Sequence, residues 1–196
     1  MSTSEEPKYS VLQSHGDIEI RQYEPKVVAE TVVEGERKKA SNNGFFILAN
    51  YISGANTHET KNAITVTQSR QSEKIAMTMP VIQQEVGATM TAPVIQTGAQ
   101  TAWVVQFNMP MQYTLATLPK PKDSRITIKE VPGNKVATIR FSGFAGDEKM
   151  MENEAKLRAY LSHQGIETKG KAIYALYDSP LTLPMFRRNE IMLELK

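Results

Sequence analysis

Apolar and polar residues alternate near the start of the chain in a pattern that predicts three β-strands. Residues 9–12 are half apolar, residues 18–21 alternate strictly, and residues 27–33 are rich in β-branched side chains. Pro25 stands between the second and third of these segments and indicates a tight turn. The chain therefore begins with strands that a turn separates, before any helical pattern.

A helical period follows over residues 37–52. At about 100° per residue, Phe45 and Ala49 flank the inward face and Phe46 points nearly opposite to it. Either another layer of the protein covers these aromatic side chains, or they form an apolar patch that receives a ligand or a partner. Gly54 lies just past the helix, where a left-handed cap belongs. The inward face collects Ala40, Gly44, Ile47, Leu48, Tyr51 and Ile52.

The second half of the chain shows a similar order of elements, with a charged helix predicted over residues 148–162 and Gly165 as its cap. An offset of 108 residues aligns, among others, Ile18 with Ile126, and the shared order favours an ancestral duplication. Two helices on an antiparallel sheet define an α+β fold. The further predicted strands cover residues 103–109, 126–129, 135–141, 172–177 and 190–195.

A polar segment and a short internal repeat lie between the halves. Residues 55–72 are polar and Thr-rich, and connections of this length are often functional or mobile. Residues 77–83 recur as residues 90–96 with six of the seven positions identical. Each unit contains a Pro that limits ladder pairing, so the pattern predicts two extended segments joined as a hairpin.

The composition is that of a globular chain with one large domain or two small ones. Of its 196 residues, 40% are apolar and 22% are charged. No apolar run approaches the ~20 residues that a membrane-spanning helix requires. Residues 1–7 are polar and acidic and lack the features of a signal peptide. We therefore expect a disordered lead and a cytoplasmic protein without a membrane partner.

The residue inventory excludes or disfavours several kinds of chemistry. Cysteine is absent, which excludes disulfides, thiolate catalysis and thiolate ligation of zinc or haem. The 23 basic and 21 acidic residues are scattered, so we expect no binding to nucleic acid. The sequence contains no nucleophile elbow, P-loop or dinucleotide fingerprint, and nothing in it indicates an enzyme.

Histidine and methionine bear on ligand binding. His15 is expected in a turn and His163 at the C-terminal end of the second helix, where a cation complements the helix dipole. His58 lies in the polar segment, where an imidazole is either simply solvated or available to ligate iron. The ten methionines suit adaptable apolar walls, although core packing explains most of them.

Four segments in the right order carry a resemblance to one known family, namely residues 18–23 (IEIRQY), 74–81 (KIAMTMPV), 113–121 and 187–190 (RRNE). The chain resembles the SOUL haem-binding proteins, and most closely their bacterial members, over residues 8–195. This resemblance implies a distorted antiparallel β-barrel of two pseudo-repeats, each with one long α-helix, similar to bacterial multidrug-sensing effector domains. A single SOUL-like domain, residues 8–196, would then contain pseudo-repeats over residues 8–100 and 101–196.

The resemblance also implies where a haem would bind. Some members use a His before the Tyr of the opening motif as axial ligand, and that position is Gln22 in this chain. Other members hold haem on the apolar face of the first helix, and our hypothesis is that His58 replaces the missing iron ligand, even across a dimer. The candidate binding residues on the first helix are Asn42, Phe45, Phe46, Ala49 and Asn50.

The family resemblance implies binding of haem or a related tetrapyrrole in the cytosol for buffering, transport or sensing. One alternative is a general binding module for apolar small molecules, like the multidrug effector domains, which the replacement at Gln22 favours. A weaker alternative is an enzyme that acts on a tetrapyrrole. A homodimer through the face of the first helix or through residues 55–72 is also left open.

Overall fold

A nine-stranded antiparallel sheet carries both helices of the protein on one of its faces. The computed structural model describes residues 4–59, 70–86, 101–178 and 182–196. The helices are α1, Arg37–Ile52, and α2, Asp147–His163. The strands are β1 Tyr9–His15, β2 Ile18–Tyr23, β3 Lys26–Glu34, β4 Asn56–Glu59, β5 Arg70–Gln71, β6 Val81–Val86, β7 Ala102–Asn108, β8 Lys120–Pro121, β9 Thr127–Val131, β10 Lys135–Phe141, β11 Thr168–Leu176 and β12 Asn189–Leu195.

The large sheet has the strand order β1-β2-β10-β12-β11-β6-β7-β3-β9, and β5-β4-β8 form a small separate sheet. The strands and helices predicted from the hydrophobic pattern are all present where they fall on described residues, with bounds shifted by a few residues. Gly54 and Gly165 adopt positive φ angles of 117° and 67° just beyond the two helices, which confirms them as caps. The second unit of the internal repeat, residues 90–96, lies outside the described residues. The first unit enters β6, whose two edges are paired with β7 and β11, so the predicted hairpin between the two units is wrong.

The described strands do not close into a barrel, and that part of the expected fold is wrong. β1 and β9 are the two edges of the sheet and are not paired with each other. At the corner between β2 and β3, the chain leaves the ladder at Glu24 and Pro25, and the amide of Tyr23 donates to the carbonyl of Asn134 at 2.9 Å. Gly133 packs so closely there that a Cβ would lie 2.6 Å from the Tyr23 carbonyl oxygen. These contacts continue the β2–β10 ladder and do not join β1 to β9, and the division into pseudo-repeats stays a prediction.

The two faces of the sheet differ in what covers them. We call the face under the helices the helix face, and the opposite face the open face. On the helix face, α1 packs over β3, β6 and β7 (the α1 half), and α2 packs over β2, β10, β11 and β12 (the α2 half). Side chains alternate along each strand. Two apolar cores therefore lie on the helix face. The buried apolar cluster of the open face consists of Tyr23, Ile82, Val136, Ala175, Tyr177 and Met192.

α1 lies very close to the sheet because a glycine faces it. A Cβ added at Gly44 would lie 2.5 Å from Cγ2 of Val105 on β7. Leu48 and Tyr51 are fully buried below the same face of the helix, and the Tyr51 hydroxyl donates to the carbonyl of Pro119 at 2.7 Å. The inward face predicted from the helical period is therefore confirmed, with Ile47 half-buried beside it.

Candidate functional site

The outer face of α1 brings the candidate residues of the first helix together. Phe46 is 65% exposed, and its ring meets the edge of the Phe45 ring at a centroid distance of 6.0 Å. Phe45 is half-buried because its ring also packs against Phe107 of β7, at 5.5 Å. Of the two alternatives for these aromatic side chains, the described structure covers Phe45 in part and leaves Phe46 open.

The polar members of the set lie one helical turn on either side of Phe46. Asn42 and Asn50 are exposed, and their spacing of four residues from Phe46 places the three side chains in one row. Ala49 is half-buried beside this row. We call Asn42, Phe45, Phe46, Ala49 and Asn50 the outer strip of α1. Its apolar centre has an amide side chain at each end, and amides can donate hydrogen bonds to carboxylate groups of a ligand.

The strand that contains His58 follows α1 closely and is fastened to its end. The side-chain amide of Asn56 donates to the carbonyls of Tyr51 and Glu73 at 2.9 and 2.7 Å, and accepts from the Glu73 amide at 2.9 Å. The His58 backbone pairs with Gln71 in the small sheet. The His58 side chain lies outside the described part of the structure, so its role as iron ligand stays a prediction. Among the described residues, no group of three or more acidic or histidine side chains could hold a metal ion.

The other two histidines have structural surroundings. His15 ends β1, and its ring stacks on Tyr160 of α2 at a centroid distance of 5.4 Å. His163 is the last residue of α2, where it complements the helix dipole as expected from its position. Neither ring lies near the outer strip of α1 in sequence or in the sheet order.

A second candidate site is a cavity of about 320 Å³ on the open face. The sheet curls enough for side chains of β9 and β10 to line the same space. Three of its four charged side chains have partners: Glu30 accepts from Lys129 at 2.7 Å and from Gln106 at 3.2 Å, and Glu194 accepts from Asn134. The apolar part of the wall consists of Pro7, Pro80, Ile82, Val86, Val104, Val131, Val136, Ile173 and Met192. The cavity therefore suits a largely apolar ligand, and the fourth charged side chain, Lys26, lies at its edge.

Lys26 lies at the edge of this cavity and has an unusual environment. Its ammonium lies 5.4 Å from the centre of the Tyr23 ring. Burial lowers the pKa of Lys26 to about 8. The side chain also lines a neighbouring cavity of about 330 Å³ near the N-terminal segment, so two spaces meet at one weakly basic amine.

A buried charge cluster beside the cavity was not recognised from the sequence. Glu190 of β12 is fully buried and accepts from the Arg21 guanidinium at 2.8 and 3.1 Å, from Arg188 at 2.9 Å, and from the Tyr177 hydroxyl at 2.9 Å. Burial raises the pKa of Glu190, but the hydrogen bonds and charges of the two arginines outweigh it and hold the pKa below 4.5. Arg188 also stacks on Tyr177, 3.7 Å from the ring centre. The carboxylate thus accepts four hydrogen bonds, and the cluster connects β2 and β12 with Tyr177 just after β11 and Arg188 just before β12.

The fold defines a class: an antiparallel sheet with two helices on one face, shared with several solved bacterial structures. An uncharacterised conserved protein from Listeria innocua superposes with a TM-score of 0.60 at 11% identity over 92% of both chains. A hydrolase from Listeria innocua gives 0.58 at 11% identity over 94% of both chains. The EcmrR C-terminal domain gives 0.54 at 7% identity, over 96% of this chain and 98% of that one. At these identities the likeness establishes the fold alone.

The chain belongs to the SOUL heme-binding protein family, whose model matches residues 4–194. The resemblance drawn from the four sequence segments is thereby confirmed. No curated protein matches the chain. Within the described ranges, neither helix is long and apolar enough to cross a membrane.

Proposed function

We propose that this chain binds haem or a related tetrapyrrole on the outer strip of α1, and does so in the cytosol for buffering, transport or sensing. The observation that carries the proposal is Phe46, an aromatic side chain that is 65% exposed on the helix that family resemblance assigns to haem. Asn42 and Asn50 would receive the propionates as neutral hydrogen-bond donors. Ala49 is small enough to let a planar ring approach the helix.

The energetics suit a shallow and reversible complex. Burial of apolar surface contributes about 25 cal/mol per Å², and a macrocycle can cover both Phe46 and the exposed edge of Phe45. The loss of translational and rotational freedom on association opposes that gain. Without an iron ligand we expect an affinity in the micromolar range, on the order of −8 kcal/mol.

His58 is proposed as the iron ligand. Its strand is fastened to the C-terminal end of α1 through Asn56, which keeps the His58 backbone close to the end of the outer strip in sequence and in space. Nothing in this part of the proposal requires a second copy of the chain. If the ligand came instead from a partner in a homodimer, the bound state would depend on protein concentration.

A haemin titration followed in the Soret and visible bands tests these assignments. We expect saturable binding that Phe46→Ser weakens by about tenfold and that Phe186→Ser, which removes a similarly exposed aromatic outside α1, leaves unchanged. His58→Ala should remove low-spin bands while retaining part of the Soret shift. Equal binding by wild type and Phe46→Ser would contradict the α1 site. A broad, non-saturating change like that of aggregated haem would contradict haem binding altogether.

The open-face cavity supports a second candidate function, the binding of a smaller apolar molecule. Its volume of about 320 Å³ lies at the lower end of small-molecule pockets, which span about 300–1,000 Å³, so it suits a ligand smaller than a tetrapyrrole. Val104→Phe would fill this space without touching α1's outer strip. If Val104→Phe weakens haemin binding and Phe46→Ser does not, the cavity is the site and the proposal for α1 is wrong.

We propose binding rather than catalysis, as in the family to which the chain belongs. Two structural neighbours from Listeria innocua are called hydrolases, and the fold alone does not distinguish binding from catalysis. Haemin and metal-free porphyrin incubated with the protein should be recovered with unchanged mass and absorption. Accumulation of a product at more than one equivalent would contradict this assignment and favour the enzyme alternative.

A further inference from the structure

Four large apolar side chains project from two neighbouring loops on the α2 half. Phe144 precedes α2 and is 66% exposed, and the other three lie just before β12. There Leu183, Met185 and Phe186 are 59%, 67% and 70% exposed. We call these four residues the loop patch. Contiguous exposed apolar side chains of this size mark contact sites more often than ordinary surface.

The loops of this patch are fastened to each other. The amide of Gly143 donates to the carbonyl of Pro184 at 2.9 Å, and the buried Asn189 side chain donates to the Gly143 carbonyl at 3.0 Å. The Arg187 guanidinium lies over the Phe144 ring, 5.2 Å from its centre. The apolar tips are therefore held outward by hydrogen bonds at their base.

A basic groove of about 670 Å³ runs beside the loop patch, and Met185 and Phe186 form one of its walls. Its acidic residues are Asp17 and Glu152, and the Glu152 carboxylate is paired with Lys156 at 2.7 Å. The basic residues that line the groove are Arg140, Lys149, Lys156 and Arg187. The groove thus has an excess of positive charge directly next to exposed apolar tips.

We propose that the loop patch and the basic groove form a contact surface for an anionic lipid bilayer. The headgroup phosphate would lie among the guanidinium and ammonium groups, and the four apolar tips would enter the interfacial region. Apolar tips next to basic side chains are the composition of peripheral membrane contacts. The positive charge of the groove complements an anionic surface, and the exposed apolar tips beside it can enter an interfacial region, which favours a lipid bilayer over a peptide partner. This proposal departs from the expectation of no membrane partner.

Sedimentation with vesicles tests the surface, using phosphatidylcholine alone and phosphatidylcholine with about one-third phosphatidylglycerol. We expect the protein to bind the anionic vesicles and to be released as salt rises. The double variant Phe144→Ser/Phe186→Ser should lose at least tenfold in partition. Phe46→Ser, which removes an equally exposed aromatic from α1, is the matched control and should change it less than twofold.

Two lysine variants test how much the positive charge of the groove contributes to vesicle binding. Lys149→Ala in the groove should weaken binding about fivefold, since each basic residue near an anionic surface contributes about that factor. Lys38→Ala, an exposed lysine on α1, should have little effect because it lies away from the groove. Because all of these side chains are exposed, the variants should keep the wild-type melting temperature, which circular dichroism checks.

Three results would overturn the proposal. Equal binding to neutral and anionic vesicles removes the role of the groove. Unchanged partition of the double Phe variant removes the role of the loop patch. If the wild-type protein does not bind vesicles but sediments as a dimer, and if the double variant is a monomer, the patch is an interface between copies of the chain. None of these outcomes depends on whether the α1 strip binds haem.

Discussion

The two halves of the sheet each carry one helix, but they place their charges differently. α2 carries ion pairs along its middle, between Glu152 and Lys156 at 2.7 Å and between Glu154 and Arg158 at 2.8 Å. The described ion pairs of α1 lie in its first turn, and its outer face beyond them displays Phe46. α2 exposes Met151 to the same 65% as Phe46, but Met151 lies next to the ion-paired Glu152, whereas the described ion pairs of α1 lie away from Phe46. The surroundings of Phe46 are therefore the better suited to an apolar contact.

The open face, on the side of the sheet opposite the helices, also differs between the two halves. Under the α2 half, the fully buried Glu190 is paired with two arginines and a tyrosine. Toward the α1 half, the open face contains a cavity, and Lys26 at its edge is buried with no carboxylate among the causes that act on its pKa. One half therefore has its buried charge compensated, and the other has space and an uncompensated amine.

The largest effect is expected where the compensated charge is broken. Glu190→Gln removes the buried carboxylate that Arg21 and Arg188 share, and only the more exposed Glu19 and Glu6 remain to pair with them. The variant should lower the free energy of unfolding by about 3–5 kcal/mol. Glu194→Gln, on the same strand and face but half-buried, is the control and should cost less than about 1 kcal/mol. Urea denaturation measures both. A loss at Glu190 no greater than that at Glu194 would contradict the compensating role of the cluster.

This prediction has a defined pH dependence. The folded-state pKa of Glu190 is lower than the unfolded value of 4.5, so the carboxylate stabilises the protein above that pH. Its contribution is lost as the pH falls through the folded pKa. The stability gap between wild type and Glu190→Gln should therefore narrow below pH 4.5 and stay constant above it.

The close approach of α1 predicts the next largest effect. Gly44→Ala raises the intrinsic helix propensity, but its Cβ would lie 2.5 Å from the stiff and fully buried Val105. We expect a net loss of about 1–3 kcal/mol from overpacking. Adding Val105→Ala should recover part of the loss, a coupling that a thermal melt of the single and double variants detects. Stabilisation by Gly44→Ala alone would show that α1 does not sit this close to β7.

The Lys26→Met variant tests how much the buried ammonium of Lys26 destabilises the folded state. Burial lowers the pKa of Lys26 to about 8, so below that pH the folded state must keep a poorly solvated ammonium. The variant should be more stable than wild type by on the order of 1–2 kcal/mol at pH 7.

The sign of this effect follows from proton binding. Between pH 8 and 10.5 the unfolded chain binds more protons at Lys26 than the folded one, so wild-type stability rises with pH. The advantage of Lys26→Met should shrink over that window and disappear above it. Denaturant midpoints measured from pH 7 to 11 provide the test, and an advantage that does not change with pH would contradict it.

The smallest effect on stability is expected at Phe46. Because Phe46 is 65% exposed, Phe46→Ser should change the free energy of unfolding by no more than about 0.5 kcal/mol. Its neighbour Phe45 packs against Phe107, and Phe45→Ser should cost at least about 2 kcal/mol. Calorimetry of the two variants distinguishes a residue that holds α1 in place from one that is free for ligand contact. Equal losses would mean that Phe46 is covered.

Local patterns predicted the elements of this fold well, and long-range pairing not at all. The alternation at residues 18–21 and the helical period over residues 37–52 report only on neighbours in sequence, and β2 and α1 follow from them. Nothing local indicates that Ile20 lies opposite Ala137 on β10. For the same reason the expectation of a closed barrel was wrong, because closure depends on how distant strands pair.

The candidate site shows the same division. The helical period placed Phe46 opposite the core, and the structure leaves it exposed. Arg21 and Glu190 each lie in one of the four segments that resemble the family, residues 18–23 and 187–190. Their pairing could not be predicted because the two segments meet only in the folded sheet. The loop patch lacks any periodic signal, since irregular loops have no repeat that would reveal exposure.

The Glu190 cluster has a consequence for how the chain reaches this structure. Arg21 and Glu190 are 169 positions apart, and β2 meets β12 only through β10. Sheets that join such distant segments require large loops to close before their contacts form, and they fold slowly. Until then Glu190 lacks the Arg21 guanidinium and β10 lacks β2 as a neighbour. During refolding the α1 half can assemble first, and the chain would meanwhile expose unpaired strand edges that chaperones recognise.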